Sequence, residues 1–309
     1  MPASREHWLA ERARDVTSTE SPALFDLSEY YTRFELWHIK SGTLAEAAFM
    51  TNERMRWGQL LEDAIAAGVA EQCGMAVSKQ PAYRRLADAR MGASYDYDAV
   101  SIGPECADER IKRLFGEHGP GNLEIKNVDK FVAKDRWAED GLPDRIEIQV
   151  QHQMQVSGAP WTIVAGLAGG NDLMLRIRMR DAGVGDALQG QIMDFWDSIT
   201  KGNEPPPVYP RDTDTLARVY GQATTGNPYT GDAAELGGLC AVYKAAAADE
   251  KKAYELKQEA KGRILHIIKD CDKAVLRDYK ISAGTTAEVV VEAYVREAFR
   301  NVRITEIKR

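Results

Sequence analysis

The chain has no run of about 18 uncharged apolar residues, so no membrane-spanning helix is expected. Met1 to Asp15 is studded with charge and holds no apolar segment, so no secretory leader is expected either. There are only four cysteines (Cys73, Cys106, Cys240 and Cys271), all far apart in sequence. This excludes the close C-x-x-C spacing of a zinc site and the clustered thiols of an iron–sulfur protein. Reduced thiols in a cytoplasmic protein are the expectation. The five histidines make no H-x-x-x-H pattern. The glycines from Gly166 to Gly170 are not followed by G-K-[ST], so no nucleotide-triphosphate loop is present and no need for ATP is expected. An excess of positive charge is also missing: 40 Lys and Arg stand against 47 Asp and Glu, a net charge of −7. Bulk charge therefore does not point to nucleic acid. A local basic groove or a bound cation can still bring an acidic protein to DNA.

What is present is a chain of 309 residues, 44% hydrophobic, long enough for one large domain or two ordinary ones and able to bury a core. Up to about residue 200, helical and strand patterns alternate, which predicts an α/β fold. A break follows, from Gly202 through Pro205–Pro207 to Pro210, and a second polar stretch spans Thr224 to Asp232. The predicted organisation is a domain over 1–210 and a helical region with a short β-prone tail over 211–309. Helices are predicted over Glu53–Gln72, Arg145–Val156 and Leu188–Ile199, and strands over Tyr95–Ile102, Leu123–Val128, Trp161–Leu167 and Leu173–Met179. Ser101–Asn122 reads as a long, charged loop. Ala233–Cys271 is nearly all helix formers and predicts one long helix or a helical hairpin. Glu288–Ala293 and Asn301–Ile307 read as β-prone.

The most informative spacing is Asp96, then, across the variable loop, Leu123-Glu124-Ile125-Lys126. It offers two carboxylates and an ammonium on adjoining strands. Side chains alternate along a strand, so Glu124 and Lys126 share a face while Ile125 packs on the other. Paired carboxylates suit Mg²⁺, with Mn²⁺ as a substitute. Such a cation polarises a phosphodiester and acidifies water, and a lysine beside it can orient or deprotonate that water or steady developing charge. Taken alone, E-x-K is an ordinary solvated strand face whose ion pair contributes about 0–1 kcal/mol. Here it has company. Upstream, Gly58 and Glu62 lie one helical turn apart, and Glu62 can supply a further carboxylate. Downstream, Gln149, Gln151 and Gln153 precede an apolar run.

The order G-x-x-x-E, S-x-D, L-E-I-K, then Q-x-Q-x-x-M before a tryptophan resembles the YqaJ-type viral recombinases. These are the lambda-exonuclease-like branch of the PD-(D/E)XK nucleases. The likeness extends back to Trp8–Arg12, Val16–Glu20, Leu24-Phe25 and Leu36-Trp37, and forward to Trp161, Gly169-Gly170-Asn171 and the segment around Trp196, covering about residues 5–200. It implies a restriction-endonuclease-like core: a central mixed sheet flanked by helices, with a C-terminal helical extension. It implies two metal ions held by Asp96, Glu124 and the carbonyl of Ile125, with Glu62 helping to hold the second ion or its water. Lys126 would be the catalytic lysine, and Gln149 or Gln151 the family's glutamine near the reaction centre. Arg12 would grip the 5′-phosphate of a DNA end with Thr19 as hydroxyl partner, Ser18 being adjacent. The family often flanks its aspartate with proline and glycine. Here the run is Ser94-Tyr95-Asp96-Tyr97-Asp98, so Asp98 stands as an alternative to Asp96.

The implied activity is 5′→3′ degradation of duplex DNA leaving a 3′ single strand, in partnership with a single-strand annealing protein in phage-type recombination. A ring-like homo-trimer is implied as the assembly, and no membrane partner. The competing expectations are a structure-specific or restriction-like endonuclease on the same core, and a DNA-binding protein without catalysis. Three basic groups (Arg84/Arg85/Arg90, Lys130/Lys134/Arg136 and Arg176/Arg178/Arg180) are candidate phosphate contacts.

Overall fold

Five strands form the sheet that positions the site, in the order β2-β5-β6-β7-β8: β2 (Met75–Lys79), β5 (Tyr97–Ile102), β6 (Gly121–Val128), β7 (Trp161–Ala168) and β8 (Asp172–Met179). In this computed structural model the described residues are 5–45, 53–80, 82–137, 139–223, 225–226 and 228–288, with the side chains of 5–7 excepted. β6 and β7 run parallel; the other neighbours are antiparallel, so the sheet is mixed as expected. Between β6 and β7 lie α5 (Lys130–Arg136) and α6 (Asp144–Ser157), the crossover that a parallel pair requires. β7 is apolar at every position but Thr162 because both its faces are covered. Trp161, Ile163 and Ala165 join one core cluster with Ile65 and Val69; Val164 and Ala168 join another with Trp137, Ile146 and Val150.

Ile65 and Val69 belong to α3 (Glu53–Cys73). Its buried stripe is Ile65, Ala66, Val69 and Cys73, and Leu60, which the periodicity also places inward, is exposed. The segment read as a long loop holds α4 (Glu109–His118), started by the Asp108 carboxylate accepting from the Arg110 N–H at 2.8 Å. Ile111 and Leu114, three residues apart, bury its inner face, and charge covers the outer one. Two glycines permit close packing of tryptophans on the sheet. A Cβ on Gly121 would lie 2.3 Å from the Trp161 ring, and one on Gly166 would lie 2.6 Å from the ring of Trp137. Gly169 and Gly170, both at positive φ, form the β7–β8 turn.

A second core is built on the N-terminal elements α1 (Arg5–Ala13), β1 (Val16–Thr17), a 3₁₀ turn over Ser21–Phe25, and α2 (Arg33–Lys40). β1 pairs in parallel with β4 (Met91–Ala93), which also pairs with β3 (Arg84–Leu86). Against them packs α7 (Ala182–Lys201) through Leu188, Ile192, Phe195 and Trp196, the stripe legible in the sequence. α8 (Thr213–Val219) completes a compact unit ending at Val219.

The second unit, from Tyr220, holds α9 (Ala233–Ile268), a single helix rather than a hairpin, and a small hairpin of β9 (Lys273–Val275) and β10 (Lys280–Ser282). Of the β-prone tail, only Glu288 falls within the described residues. Among the described residues, no helix is long and apolar enough to cross a membrane.

Candidate active site

β6 carries Glu124 and Lys126 on one face, and the Lys126 ammonium reaches the Glu124 Oε1 at 2.5 Å. Glu124 is only 4% exposed, so its charge requires partners. α6 supplies two: Gln149 Nε2 donates to Oε1 at 2.7 Å and Gln153 Nε2 to Oε2 at 2.9 Å. Gln153 donates again, to the Ser94 carbonyl, at 3.1 Å. Its own Oε1 is buried without a protein partner.

Asp96 stands one residue before β5, and its Oδ2 accepts the Ile125 N–H at 2.7 Å. Burial, then the charges of Glu124 and more distantly Glu62, hold this carboxyl well above its usual range, against Lys126 and the Ile125 N–H. Burial pulls Lys126 down, but Glu124 and Asp96 outweigh it and hold its ammonium above the ordinary value. Lys126 is therefore a charged donor in this arrangement, suited to orienting water or steadying negative charge. Ile125 contributes its N–H here, while its side chain sits in the core.

Strand alternation would put Asp98 beside Asp96, but Asp96 lies outside the ladder, and its carbonyl accepts the Gln80 N–H at 2.9 Å. Asp98, within β5, accepts instead from the Tyr95 hydroxyl at 2.8 Å and Gln80 Nε2 at 2.9 Å. Glu62 approaches closely enough to influence Asp96 but is paired with Lys79 at 3.1 Å. Lys79 also holds Asp63 at 2.6 Å.

Gln151 is not brought to the carboxylates. It donates to the Met179 carbonyl and accepts from the Asp181 N–H, both at 2.9 Å. The reason is helical geometry: Gln149 and Gln153 are four residues apart and share a face, while Gln151 lies between them on another. Gln153 stands in the glutamine run of the sequence without an assigned role, although the i, i+4 spacing to Gln149 marks it. Arg145, in the first turn of α6, was missed by the sequence reading; its like charge weakly lowers the Lys126 ammonium's hold on its proton. It sits 3.5 Å from Glu29 and over the Tyr30 ring.

The N-terminal candidates occupy a neighbouring segment. Arg12 stacks on Trp8, 4.5 Å from the ring centroid, and its carbonyl accepts from Lys40 Nζ. Thr19 is exposed, with its hydroxyl 3.2 Å from that of Thr17. Ser18 is buried, and its N–H donates to the Gly92 carbonyl at 3.1 Å. This bond ties the segment to β4, the strand that runs into Ser94 and Asp96. Glu20 accepts the Thr17 N–H at 2.8 Å and the Lys40 ammonium at 2.9 Å, fixing the turn.

Several of the basic candidates have structural partners instead. Arg85 grips buried Asp15 at 2.6 and 2.8 Å. Arg90 stacks on Trp196 at 3.2 Å. Arg178 pairs with Glu147 at 2.7 Å, Arg176 donates to the Trp137 carbonyl at 2.5 Å, and Arg136 pairs with Glu29. His152, between the two site glutamines, is fully buried. Burial pushes its imidazole down to about 4, against weaker pulls from the Gly92 backbone and Asp15, and neither ring nitrogen completes a hydrogen bond of normal geometry.

The donor set fits a divalent cation. Two carboxylates stand together, and burial first, then the charge of Glu124, holds Asp96 toward its protonated form, a penalty that a cation between them would relieve. The orphaned Gln153 Oε1 adds an oxygen acceptor beside Glu124. No group of three or more His, Cys, Asp or Glu arranged to hold a metal occurs among the described residues. One or two carboxylates with water and phosphate oxygens are what Mg²⁺ usually takes from a protein.

Residues 7–160 match the family model of the YqaJ-like viral recombinase domain. The chain is 25% identical over 207 residues to the uncharacterized protein YqaJ of Bacillus subtilis (strain 168), covering 66% of this chain and 59% of that one. It thus spans about three fifths of the length of that curated relative. Among solved structures it is similar to LHK-Exo, an alkaline exonuclease from Laribacter hongkongensis, with 18% identity and a TM-score of 0.50. It is likewise similar to LHK-Exo in complex with dAMP, with 17% identity and a TM-score of 0.51. Each covers 69% of this chain and 100% of that one. At such identity the structural likeness speaks for the fold.

Proposed function

Since residues 7–160 place the chain in the YqaJ-like viral recombinase family, we propose that it is a metal-dependent deoxyribonuclease. It degrades duplex DNA from 5′ ends and leaves 3′ single strands for annealing. The observation that carries this reading is the meeting of Asp96, at the entry to β5, with Glu124 and Lys126 of β6, and with Gln149 on the Glu124 carboxylate. The similarly folded alkaline exonuclease LHK-Exo, whose complex holds dAMP, supports it.

Asp96 and Glu124, with the Ile125 carbonyl, would hold Mg²⁺ or Mn²⁺. When bound, the cation supplies positive charge that polarises a phosphodiester and acidifies water. A second ion on Glu62 would require that carboxylate to exchange its Lys79 partner. The chain's own residues do the rest. Gln149 and Gln153 fix both oxygens of Glu124, so the carboxylate needs little reorganisation during reaction. Lys126, charged and aimed at the same carboxylate, is placed to orient water and offset the charge growing on phosphate oxygens. Arg12 and Thr19 would receive the 5′-phosphate of the DNA end. A single-strand annealing protein and a ring-like trimer around DNA belong to the same reading.

The test uses linear duplex DNA labelled at each end, with and without a 5′-phosphate, beside a closed circle and a Lys126→Ala variant. Mononucleotides released from 5′ ends, faster with the phosphate and lost in the variant, are the expected result. Cutting of the circle would point to an endonuclease. Binding without cleavage in Mg²⁺ or Mn²⁺ would point to a non-catalytic DNA-binding protein.

A further inference from the structure

α9 is 36 residues long, about 54 Å at the usual rise, and not one of its side chains is buried. A lone helix in water draws little stability from propensity alone and normally buries an apolar face. Its large apolar residues fall on the a, d, e and g positions of a heptad, Leu265 excepted. With Leu236 at position a, the a series reads Leu236, Tyr243, Glu250, Lys257, Ile264. The d series reads Leu239, Ala246, Ala253, Ala260, Ile267. Leu236, Leu239, Tyr243, Ile264 and Ile267 are each more than 40% exposed. The ion pairs within the helix (Lys251–Glu255, Lys252–Asp249 and Arg263–Glu259) all avoid the a and d positions; Lys251, Lys252, Glu255 and Glu259 lie on the outer side, and Asp249 and Arg263 flank the seam. A seam with large residues at both ends, alanines between and a charged outer face is a helix-pairing surface.

The two charged a positions select the partner's direction. In a parallel, in-register pair of identical chains, Glu250 would stack on Glu250 and Lys257 on Lys257 inside the seam. Each is a like-charge contact that no neighbour relieves. In an antiparallel pair, a positions meet d positions. One register sets Leu236 against Ile267, Leu239 against Ile264 and Tyr243 against Ala260, and it overlaps nearly the whole helix, from Glu235 to Ile268. Glu250 and Lys257 then each face an alanine (Ala253 and Ala246). Glu250 has the partner's Lys257 on one diagonal and the partner's Glu250 on the other, so a single diagonal like-charge approach replaces two facing ones. Sliding by one heptad either way leaves Leu236 and Leu239, or Ile264 and Ile267, beyond the partner's end. We propose that α9 pairs antiparallel with α9 of a second copy of this chain. The pairing is independent of the nuclease reading and of any ring formed by the first unit.

The test uses full-length protein in a Cys240→Ser, Cys271→Ser background, so that only the buried Cys73 and Cys106 remain. Leu239→Cys and Ile264→Cys chains, carrying different tags, are mixed under reducing conditions and then oxidised. The expected product is a disulfide joining the two different chains, with little self-linking of either, because two copies of residue 239 would lie about 37 Å apart. Light scattering of the unmodified chain is expected to give an even-numbered assembly, and Leu239→Asp/Ile264→Asp to halve its mass without changing the melting of the first unit. Self-linked Leu239→Cys chains would mean a parallel pair and overturn the proposal. An unmodified chain that is monomeric, or an assembly whose mass the aspartates leave intact, would overturn it as well.

Discussion

Gln153 commits both amide hydrogens inside the site, one to Glu124 and one to the Ser94 carbonyl that leads into Asp96. Removing a donor from a buried carboxylate costs about 1–3 kcal/mol, a factor of roughly 5–150 if the loss falls on the reacting geometry. Gln149→Leu and Gln153→Leu are each expected to slow DNA cleavage by ~10- to 100-fold. Gln151→Leu, whose bonds run to Met179 and Asp181, is expected to change it by less than about twofold. Initial rates on linear duplex DNA check this, and equal losses at all three positions would contradict the placement. Asp96 carries a different signature. Its folded carboxyl ionises at higher pH than the unfolded one, so the native state holds the proton more tightly. Stability is therefore lost as pH rises from about 4 through the folded value. Asp96→Asn has no charge to develop and escapes this loss. With chelator present, the variant is expected to melt above the unmodified chain at pH 8, and the gap to close as pH falls toward 4, while cleavage is abolished.

α6 does most of the assembly of the site. One face presents Gln149 and Gln153 to Glu124, while Ile146 and Val150 pack in the core beneath the sheet. His152, buried on the side of α6 toward Gly92 and Asp15, is held neutral. Its folded value lies below its unfolded one, so the neutral ring stabilises the fold fully above about pH 6.5, and this stability is lost as pH falls from there toward about 4. The total is on the order of 3 kcal/mol. Melting curves between pH 7.5 and 4.5 are expected to fall more steeply for the native chain than for His152→Leu. Parallel slopes would show that the ring does not titrate in this range. The elements were legible where one face alone sets the pattern, as in the α7 stripe and the alternation of Leu173 to Met179. They were hidden where charge masked a short apolar pair, as with Ile111 and Leu114 in α4. The carboxylates of the site were legible because E-x-K alternation and the Asp96 spacing are local features. Gln153 was not, because its role depends on which face of α6 meets β6. The separation of Asp96 from Asp98 depends on where β5 begins.

The compact first unit continues past the prolines that composition marks as a break, and the cause is one buried carboxylate. Asp212 is fully buried, accepts the Thr32 hydroxyl at 2.5 Å and takes the Val208 N–H at 2.7 Å. Thr32 in turn caps α2 by accepting the Glu35 N–H at 3.0 Å. Arg211 adds a bond to the Ser28 carbonyl at 2.8 Å. These contacts span some 180 residues of sequence, which no local pattern reveals. A chain ending at 210 lacks both side chains and leaves the Thr32 hydroxyl buried without its acceptor, at a cost of about 1–3 kcal/mol. For a unit of this size that corresponds to a fall in Tm on the order of 5 °C. A chain ending at 219 keeps every one of these bonds. It is expected to melt measurably above the 1–210 chain and to show the full-length cleavage rate per subunit, because none of the Asp96–Glu124–Lys126 contacts involves α9. If the two truncations melt together, α8 does not belong to the folding unit. If 1–219 is stable yet inactive, the second unit supplies something to the reaction beyond the contacts described for the first.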